Sequence, residues 1–241
     1  MLKISNISVQ RGAKVTLDTI ELSLAPGKTL AVVGESGAGK STLIAAILGL
    51  TRLQQGSIHW HDQPVQRCRP SLVMQEPRAA FNPALTLRHS ILEPIRAIGA
   101  DVPHQRLTRL CEALELPVGI LDRHPDQVSI GQAQRAGIMR ALISKPPLIL
   151  FDEPLSALDA VAQKRTAKLI AELQREEGFA ALIVTHDLGY AVAYADEIAV
   201  LKAGKVEERA TPVVFVEGPK STYCESLRAA AISLGSLEVA A

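Results

Sequence analysis

The sequence predicts an α/β fold, a mostly parallel sheet with helices, joined by an antiparallel β portion at the N-terminus and a helical segment inserted mid-chain. Three observations predict it. Short apolar runs, Thr29-Leu-Ala-Val-Val33, Leu148-Ile-Leu-Phe151 and Ala180-Ala-Leu-Ile-Val184, have the length and composition of strands buried on both faces. A helical stretch over 160–176 separates the last two, the βαβ rhythm of a parallel sheet. Residues 84–124 are instead rich in Leu, Arg and Glu at helical spacing, and Pro94, Pro103 and Pro117 break them into short helices.

In chain order, residues 2–9 and 15–24 alternate apolar with polar side chains, so the chain begins β-rich. The strand over 29–33 feeds a glycine loop, and Ser41 to Leu48 reads as a buried helix stopped at Gly49. Further strands are predicted over 56–61 and 71–75, a helix over about 131–144, and strands over 147–151 and 180–184. The stretch beyond about residue 206 carries the weakest signal. His59 and His61 fall on one face of the predicted 56–61 strand, where a polar pair reads as ordinary strand decoration and not as metal ligands. The Ala-rich periodicity of 160–175 reads as helix packing on the sheet.

Composition excludes several classes. With 26 basic and 25 acidic residues the formal charge is +1, so no net field draws nucleic acid or anionic lipid. Cys68, Cys111 and Cys224 are far apart and form no CxxC pair, which fits a reducing cytoplasm. Met1-Leu-Lys-Ile-Ser-Asn6 does not read as a signal peptide. The apolar runs are far shorter than the roughly 20 residues that span a bilayer. Service at a membrane would require docking onto another chain.

Gly34-Glu35-Ser36-Gly37-Ala38-Gly39-Lys40-Ser41 satisfies GxxxxGK[ST] between a predicted strand and helix, which marks a P-loop NTPase core. Its backbone N–H groups would turn inward on phosphate oxygens at a helix N-terminus. Lys40 would supply positive charge for the β- and γ-phosphates of ATP, and Ser41 a hydroxyl for Mg²⁺, with Thr42 as a second hydroxyl nearby. The spacing is not the GxGxxG of a dinucleotide fold. Asp152 and Glu153 close the strand over 147–151, so Asp152 is expected in the Mg²⁺ shell and Glu153 to polarise the attacking water. His186 follows the next strand in the same way and is expected at the γ-phosphate. Gln75, at the end of the 71–75 strand, is expected at the metal or the water.

Val128-Ser129-Ile130-Gly131-Gln132-Ala-Gln-Arg135 lies about twenty residues before the acidic pair, and Ser156-Ala-Leu-Asp159 follows it. Together with the preceding motifs, in this order, the chain resembles the ATP-binding subunits of ABC transporters from about residue 2 to 220. The resemblance implies a RecA-like core over 1–82 and 145–205, a helical subdomain with the signature motif over 83–144, and a C-terminal segment over 206–241, all within one ATPase domain. It makes Gln75 the Q-loop residue, Ser129, Gly131 and Gln132 the signature residues, Asp159 the end of the D-loop, and His186 the switch histidine. It also implies a head-to-tail dimer in which Ser129 and Gly131 of one chain face ATP on the other.

Two positions depart from the family pattern. Ile130 stands where the signature usually has glycine, which predicts pairing with a second, different ATPase subunit, a homodimer being the alternative. Arg11 stands where an aromatic residue usually stacks on adenine, and its planar guanidinium is a candidate substitute. The Gln75–Pro83 segment, followed by Leu85-Thr-Leu, and the ending Glu217-Gly-Pro-Lys-Ser-Thr-Tyr223 are similar to the oligopeptide, dipeptide and nickel importer branch. That branch implies two transmembrane permease subunits, an extracytoplasmic binding protein met indirectly, and a peripheral position on the cytoplasmic face of the inner membrane. The other reading is a soluble accessory ATPase of an enzyme complex such as carbon–phosphorus lyase. A nucleic-acid partner is not expected.

Overall fold

The computed structural model describes residues 1–235 and Leu237. The chain runs through β1 (Leu2–Arg11), β2 (Lys14–Leu24), β3 (Thr29–Val33), α1 (Lys40–Ile47), β4 (Gln55–Trp60), β5 (Gln63–Pro64) and β6 (Ser71–Val73). It continues through α2 (Leu87–Ile91), α3 (Glu93–Ala97), α4 (His104–Ala113), α5 (Ile130–Leu142), β7 (Leu148–Asp152) and α6 (Ala160–Glu177). Then come β8 (Ala180–Thr185), α7 (Leu188–Tyr194), β9 (Glu197–Lys202), β10 (Lys205–Ala210), α8 (Pro212–Glu217) and α9 (Thr222–Ser233). Contacts divide the chain into two units, Met1–Pro70 with the described residues from Ala180 onward, and Ser71–Phe179.

In the first unit β2, β1, β4 and β5 form an antiparallel sheet in that order. A second set of strands, β10, β9, β3 and β8, has β3 at its centre, pairing in parallel with both β8 and β9. Every residue of β3 and of β8 is buried, as uniformly apolar parallel strands require. The C-terminal helices complete this core, with Phe215 of α8 and Cys224 and Ala231 of α9 packed among Ala31, Val33, Ile198 and Val200.

The second unit carries the parallel pair β6 and β7 with helices α2 to α6. Helix α6 buries Thr166, Ala167, Leu169, Ile170, Leu173 and Gln174, a stripe at helical period, and ends at Gly178 in the left-handed region (φ 72°). The C-terminal end of α5 is closed by Arg106. Its guanidinium donates to the carbonyls of Leu142 (2.6 Å) and Ile143 (3.2 Å) and forms an ion pair with Glu177 (2.9 Å). Their side chains are only 9% and 11% exposed, so Arg106 depends on Glu177 for compensation, while Glu177 also has Arg109 at 3.9 Å.

Two expectations need correction. The strand expected over 71–75 ends at Val73, because its partner β7 stops at Asp152 and Glu153 turns off at φ 47°, so Gln75 lies two residues past the strand. His59 and His61 do not share a strand face. Strand β4 ends at Trp60, and His61-Asp62 form a two-residue hairpin loop, both at positive φ (46° and 62°), with Trp60 paired to Gln63. The weakly patterned end is structured: β10, α8 and α9 fill the C-terminal segment as far as the described residues go, and residues 236 and 238–241 lie outside them.

Replacing Arg106 by Ala leaves Glu177 only its longer pair with Arg109 and takes the donors from two helix-end carbonyls, so the expected loss is about 3 kcal/mol in urea denaturation. Burial pushes the Glu177 carboxyl up, but hydrogen bonding and charge from Arg106 hold it, on balance, below its usual 4.5. A depressed folded value stabilises above the unfolded one and is lost as pH falls through it. The gap between wild type and Arg106→Ala should therefore be full at neutral pH and narrow below about pH 4.5.

Candidate nucleotide site

The first unit presents the phosphate loop at the C-terminal end of β3. Gly39 caps α1 in a conformation (φ 112°) that side chains rarely adopt, and a Cβ there would meet Thr16 O and Leu17 Cδ2 at 2.8 Å. Lys40, the first residue of α1, is buried and donates from Nζ to the carbonyls of Gly34 (2.6 Å) and Glu35 (3.1 Å). Glu35 O also accepts from Ala38 N (3.2 Å), so this carbonyl ties the loop to itself. Ser41 is exposed on the first turn of α1, whereas Thr42 is buried.

The loop also rests on a part of the chain that carries none of the sequence motifs. A Cβ at Gly34 would lie 2.2 Å from Leu201 O, and Gly204 N donates to Ala38 O (2.9 Å) while Gly204 O accepts from Asp18 N (2.8 Å). The turn between β9 and β10 thus braces the phosphate loop. Its signal was present in Lys202-Ala-Gly-Lys205, a short glycine turn after an apolar strand. His186 follows β8, whose Thr185 is the register partner of Val33, so the histidine and Gly34 leave adjacent strands at the same edge. Asp187 caps α7 through Tyr190 N (2.9 Å) and fixes the chain just after His186. Arg11 is exposed at the end of β1, opposite Lys14 in the hairpin.

In the second unit, Val73 and Phe151 are register partners, so Gln75 and Glu153 both lie two residues beyond that pair, at the C-terminal edge of β6 and β7. Asp152 is the last residue of β7, and both acids are partly exposed. Glu153 has φ of 47°, a left-handed conformation that costs a non-glycine residue roughly 1–3 kcal/mol and concentrates at functional positions. Its carbonyl accepts from Ser156 N (3.2 Å) and Ser156 Oγ (3.0 Å), which anchors the turn in that shape. Asp159 caps α6, accepting from Val161 N (3.0 Å) and Ala162 N (2.9 Å).

Ser129 and Gln132 form a reciprocal capping box on α5: Gln132 N donates to Ser129 Oγ (3.2 Å), and Ser129 N to Gln132 Oε1 (2.9 Å). Gly131 faces open space, since an added Cβ would find no atom nearer than Leu158 Cδ2 at 3.9 Å. Ile130, the first helical residue, is 44% exposed. Arg78, which the motifs did not single out, donates to Val128 O (2.6 Å), the carbonyl just before the cap, and Arg140 of α5 lies over the Phe81 ring (5.0 Å).

The family model for ABC transporters matches residues 17–156. The chain is 36% identical over 228 residues to the oligopeptide transport ATP-binding protein OppF of Escherichia coli K12, covering 89% of this chain and 68% of that protein. It is 33% identical to OppF of Lactococcus lactis subsp. lactis, covering 91% of this chain and 73% of that one. The chain belongs to the ABC transporter family. It is an ATP-binding, ATP-hydrolysing subunit of that family. The dimeric structure of the ATP-binding cassette MJ0796 in a post-hydrolysis state with ADP and Pi matches this ABC subunit with a TM-score of 0.76 at 27% identity, covering 88% of this chain and 99% of that one. The ATP-binding subunit of another ABC transporter matches with a TM-score of 0.80 at 26% identity over 97% of each chain. These likenesses agree with the α/β fold class, an NTPase core with an antiparallel β part and a helical part.

In this ABC subunit a side chain at Gly34 is excluded by sterics, and the clashing atom is backbone, which cannot swing aside. Gly34→Ala should weaken binding of a fluorescent ATP analogue at least tenfold, about 1.4 kcal/mol, in a direct titration. Affinity like that of the unaltered chain would show that the loop shifts without consequence.

Proposed function

We propose that this chain energises an oligopeptide importer, docking on separate membrane permeases at the cytoplasmic face of the inner membrane. The observation that carries this is the 36% identity to an oligopeptide transport ATP-binding protein over 89% of the chain, which favours peptides over nickel as cargo. No helix among the described residues is long and apolar enough to cross a membrane, so the passage itself falls to other chains. An extracytoplasmic binding protein would deliver the cargo to them. We further read residues 1–241 as one ATPase domain.

The residue roles follow from the chemistry each unit presents. In the first, the N–H groups from Glu35 to Thr42 and the Lys40 ammonium bind the phosphates, His186 meets the γ-phosphate, and Arg11 lies toward the base. Ser41 offers a hydroxyl to Mg²⁺, which takes hard oxygen ligands, and in the second unit Asp152 and Gln75 offer oxygens of the same kind. Bound Mg²⁺ would neutralise charge on the phosphates. Glu153 orients and polarises the attacking water, and the strained backbone beneath it supports a position held for function rather than for folding. Ser129, Gly131 and Gln132, with Asp159, serve the nucleotide of a partner ATPase. The exposed Ile130 beside Gly131 supports a partner of different sequence, because a β-branched side chain there narrows the approach that two glycines would leave open.

Glu153→Gln should keep ATP binding while turnover falls by about a hundredfold or more, the scale on which a general base acts. Purified from solubilised membranes with ATP and Mg²⁺, this variant should bring down a second ATPase and two multispanning permeases. Recovery with soluble enzymes alone would overturn the importer reading, and retained turnover would overturn the role of Glu153. Lys40→Ala should act earlier and weaken nucleotide binding itself.

A further inference from the structure

The peptide that joins Val128 to Ser129, at the start of α5, is gripped from both sides. Its carbonyl, that of Val128, accepts from Arg78 Nη2 (2.6 Å), and its N–H, that of Ser129, donates to Gln132 Oε1 (2.9 Å). The Gln132 N–H in turn donates to Ser129 Oγ (3.2 Å). A peptide is planar, so holding both of its polar ends fixes its orientation and the backbone from which the Ser129 side chain projects. Val128 is buried, whereas Ser129 is exposed, so a covered anchor carries a presented hydroxyl.

Arg78 reaches this peptide from a turn that is itself fastened to α5. The Arg78 carbonyl accepts from Phe81 N (3.1 Å), and Arg140 of α5 lies over the buried Phe81 ring (5.0 Å) and donates to the Ala80 carbonyl. The turn and the helix are thus joined at two levels, at Arg140 near the C-terminal end of α5 and at Arg78 before its first residue. For helix stability Arg78 is poorly placed. A helix start carries partial positive charge and favours an acid, yet the first turn of α5 contains none, and the guanidinium adds a cation beside it.

We propose that Arg78 is a positioning residue for the signature motif: by holding the Val128 carbonyl it sets the Ser129 backbone, so that Ser129 and Gly131 meet the γ-phosphate on a partner ATPase in one fixed orientation. The inference rests on the reading that Ser129 and Gly131 serve a partner's nucleotide, and adds to it the group that holds them in place. Arg78 itself touches no nucleotide. The signature acts only once two ATPases close on ATP, so loss of Arg78 lowers turnover and leaves nucleotide binding by this chain's own phosphate loop as it was.

The test pairs steady-state ATPase kinetics of the assembled transporter with titration of the purified full chain by a fluorescent ATP analogue. Arg78→Ala should lower kcat roughly fivefold, with KM for ATP and the affinity of the purified chain each within about twofold of the unaltered protein. Arg78→Lys should recover about half or more of the lost turnover, since one carbonyl needs one charged donor. In a Ser129→Ala background, Arg78→Ala should lower kcat by less than about twofold, because its effect passes through that residue. Arg140→Ala, which unfastens the turn but keeps the Arg78 side chain, should lower kcat roughly two- to threefold at unchanged affinity and keeps the test open should Arg78→Ala fail to fold. Unchanged kcat in folded Arg78→Ala or in Arg140→Ala, a lysine variant no better than alanine, or full additivity with Ser129→Ala would overturn the proposal. A Ser129→Ala transporter that turns over at the unaltered rate would instead overturn the reading of the signature residues on which it rests.

Discussion

The structure depends on a backbone loop that must turn its N–H groups inward with no side chain in the way. At Gly34 the Leu201 carbonyl occupies the place a Cβ would need, and at Gly39 Thr16 and Leu17 do the same. A loop so crowded from outside cannot relax outward, and Lys40 closes it from inside by donating to two of its carbonyls. Rigidity of this kind matters for catalysis, because donors that are already aimed lose nothing to reorganisation when charge develops on a phosphoryl group. The fully buried strands β3 and β8 supply the stiff base beneath the loop and beneath His186.

In the second unit the same residues serve local folding and the chemistry assigned to them. Ser129 and Gln132 cap α5, Asp159 caps α6, and Ser156 pins the Glu153 turn. Capping requires a side chain with a free lone pair at a helix start, where the dipole also favours negative charge. A phosphate requires donors at such a start. Motif residues here therefore sit at element ends because element ends are where unsatisfied backbone groups are available. Substitution of Ser129 removes a helix cap as well as the hydroxyl we propose for a partner's nucleotide, and stability measured beside turnover separates the two effects.

The legible parts of the sequence are those where one residue type answers to one local demand. GxxxxGK[ST] reads plainly because glycine, lysine and hydroxyl are each irreplaceable there, and the apolar strands read plainly because burial on both faces forbids alternation. The two-residue loop at His61-Asp62 was not legible, since it lacks the glycine that usually signals positive φ. Gln75 lies beyond the strand end that its sequence suggests, because nothing in 71–75 marks where pairing with β7 ceases. The brace from Leu201 and Gly204, the Arg78 contact to Val128, and the seat of Tyr223 were illegible for another reason. Each joins segments far apart in sequence, and periodicity carries no information on tertiary contact.

The C-terminal segment is placed by such long-range contacts. Its pattern is weak because it is neither a fully buried strand nor a long amphipathic helix: β10 alternates partly buried with exposed residues, and α9 buries only Cys224 and Ala231 fully. Its few buried side chains, Phe215, Cys224 and Ala231 among them, join the β3 core, and specific contacts fix where the segment runs. Those contacts are the Glu208 carboxylate at the start of α9, the cation over Tyr223, and Cys224 against the β3 core. The cation is Lys202, the last residue of β9, so the start of α9 adjoins the turn whose Leu201 and Gly204 brace the phosphate loop. The least patterned part of the sequence is thereby attached to the most constrained part of the fold.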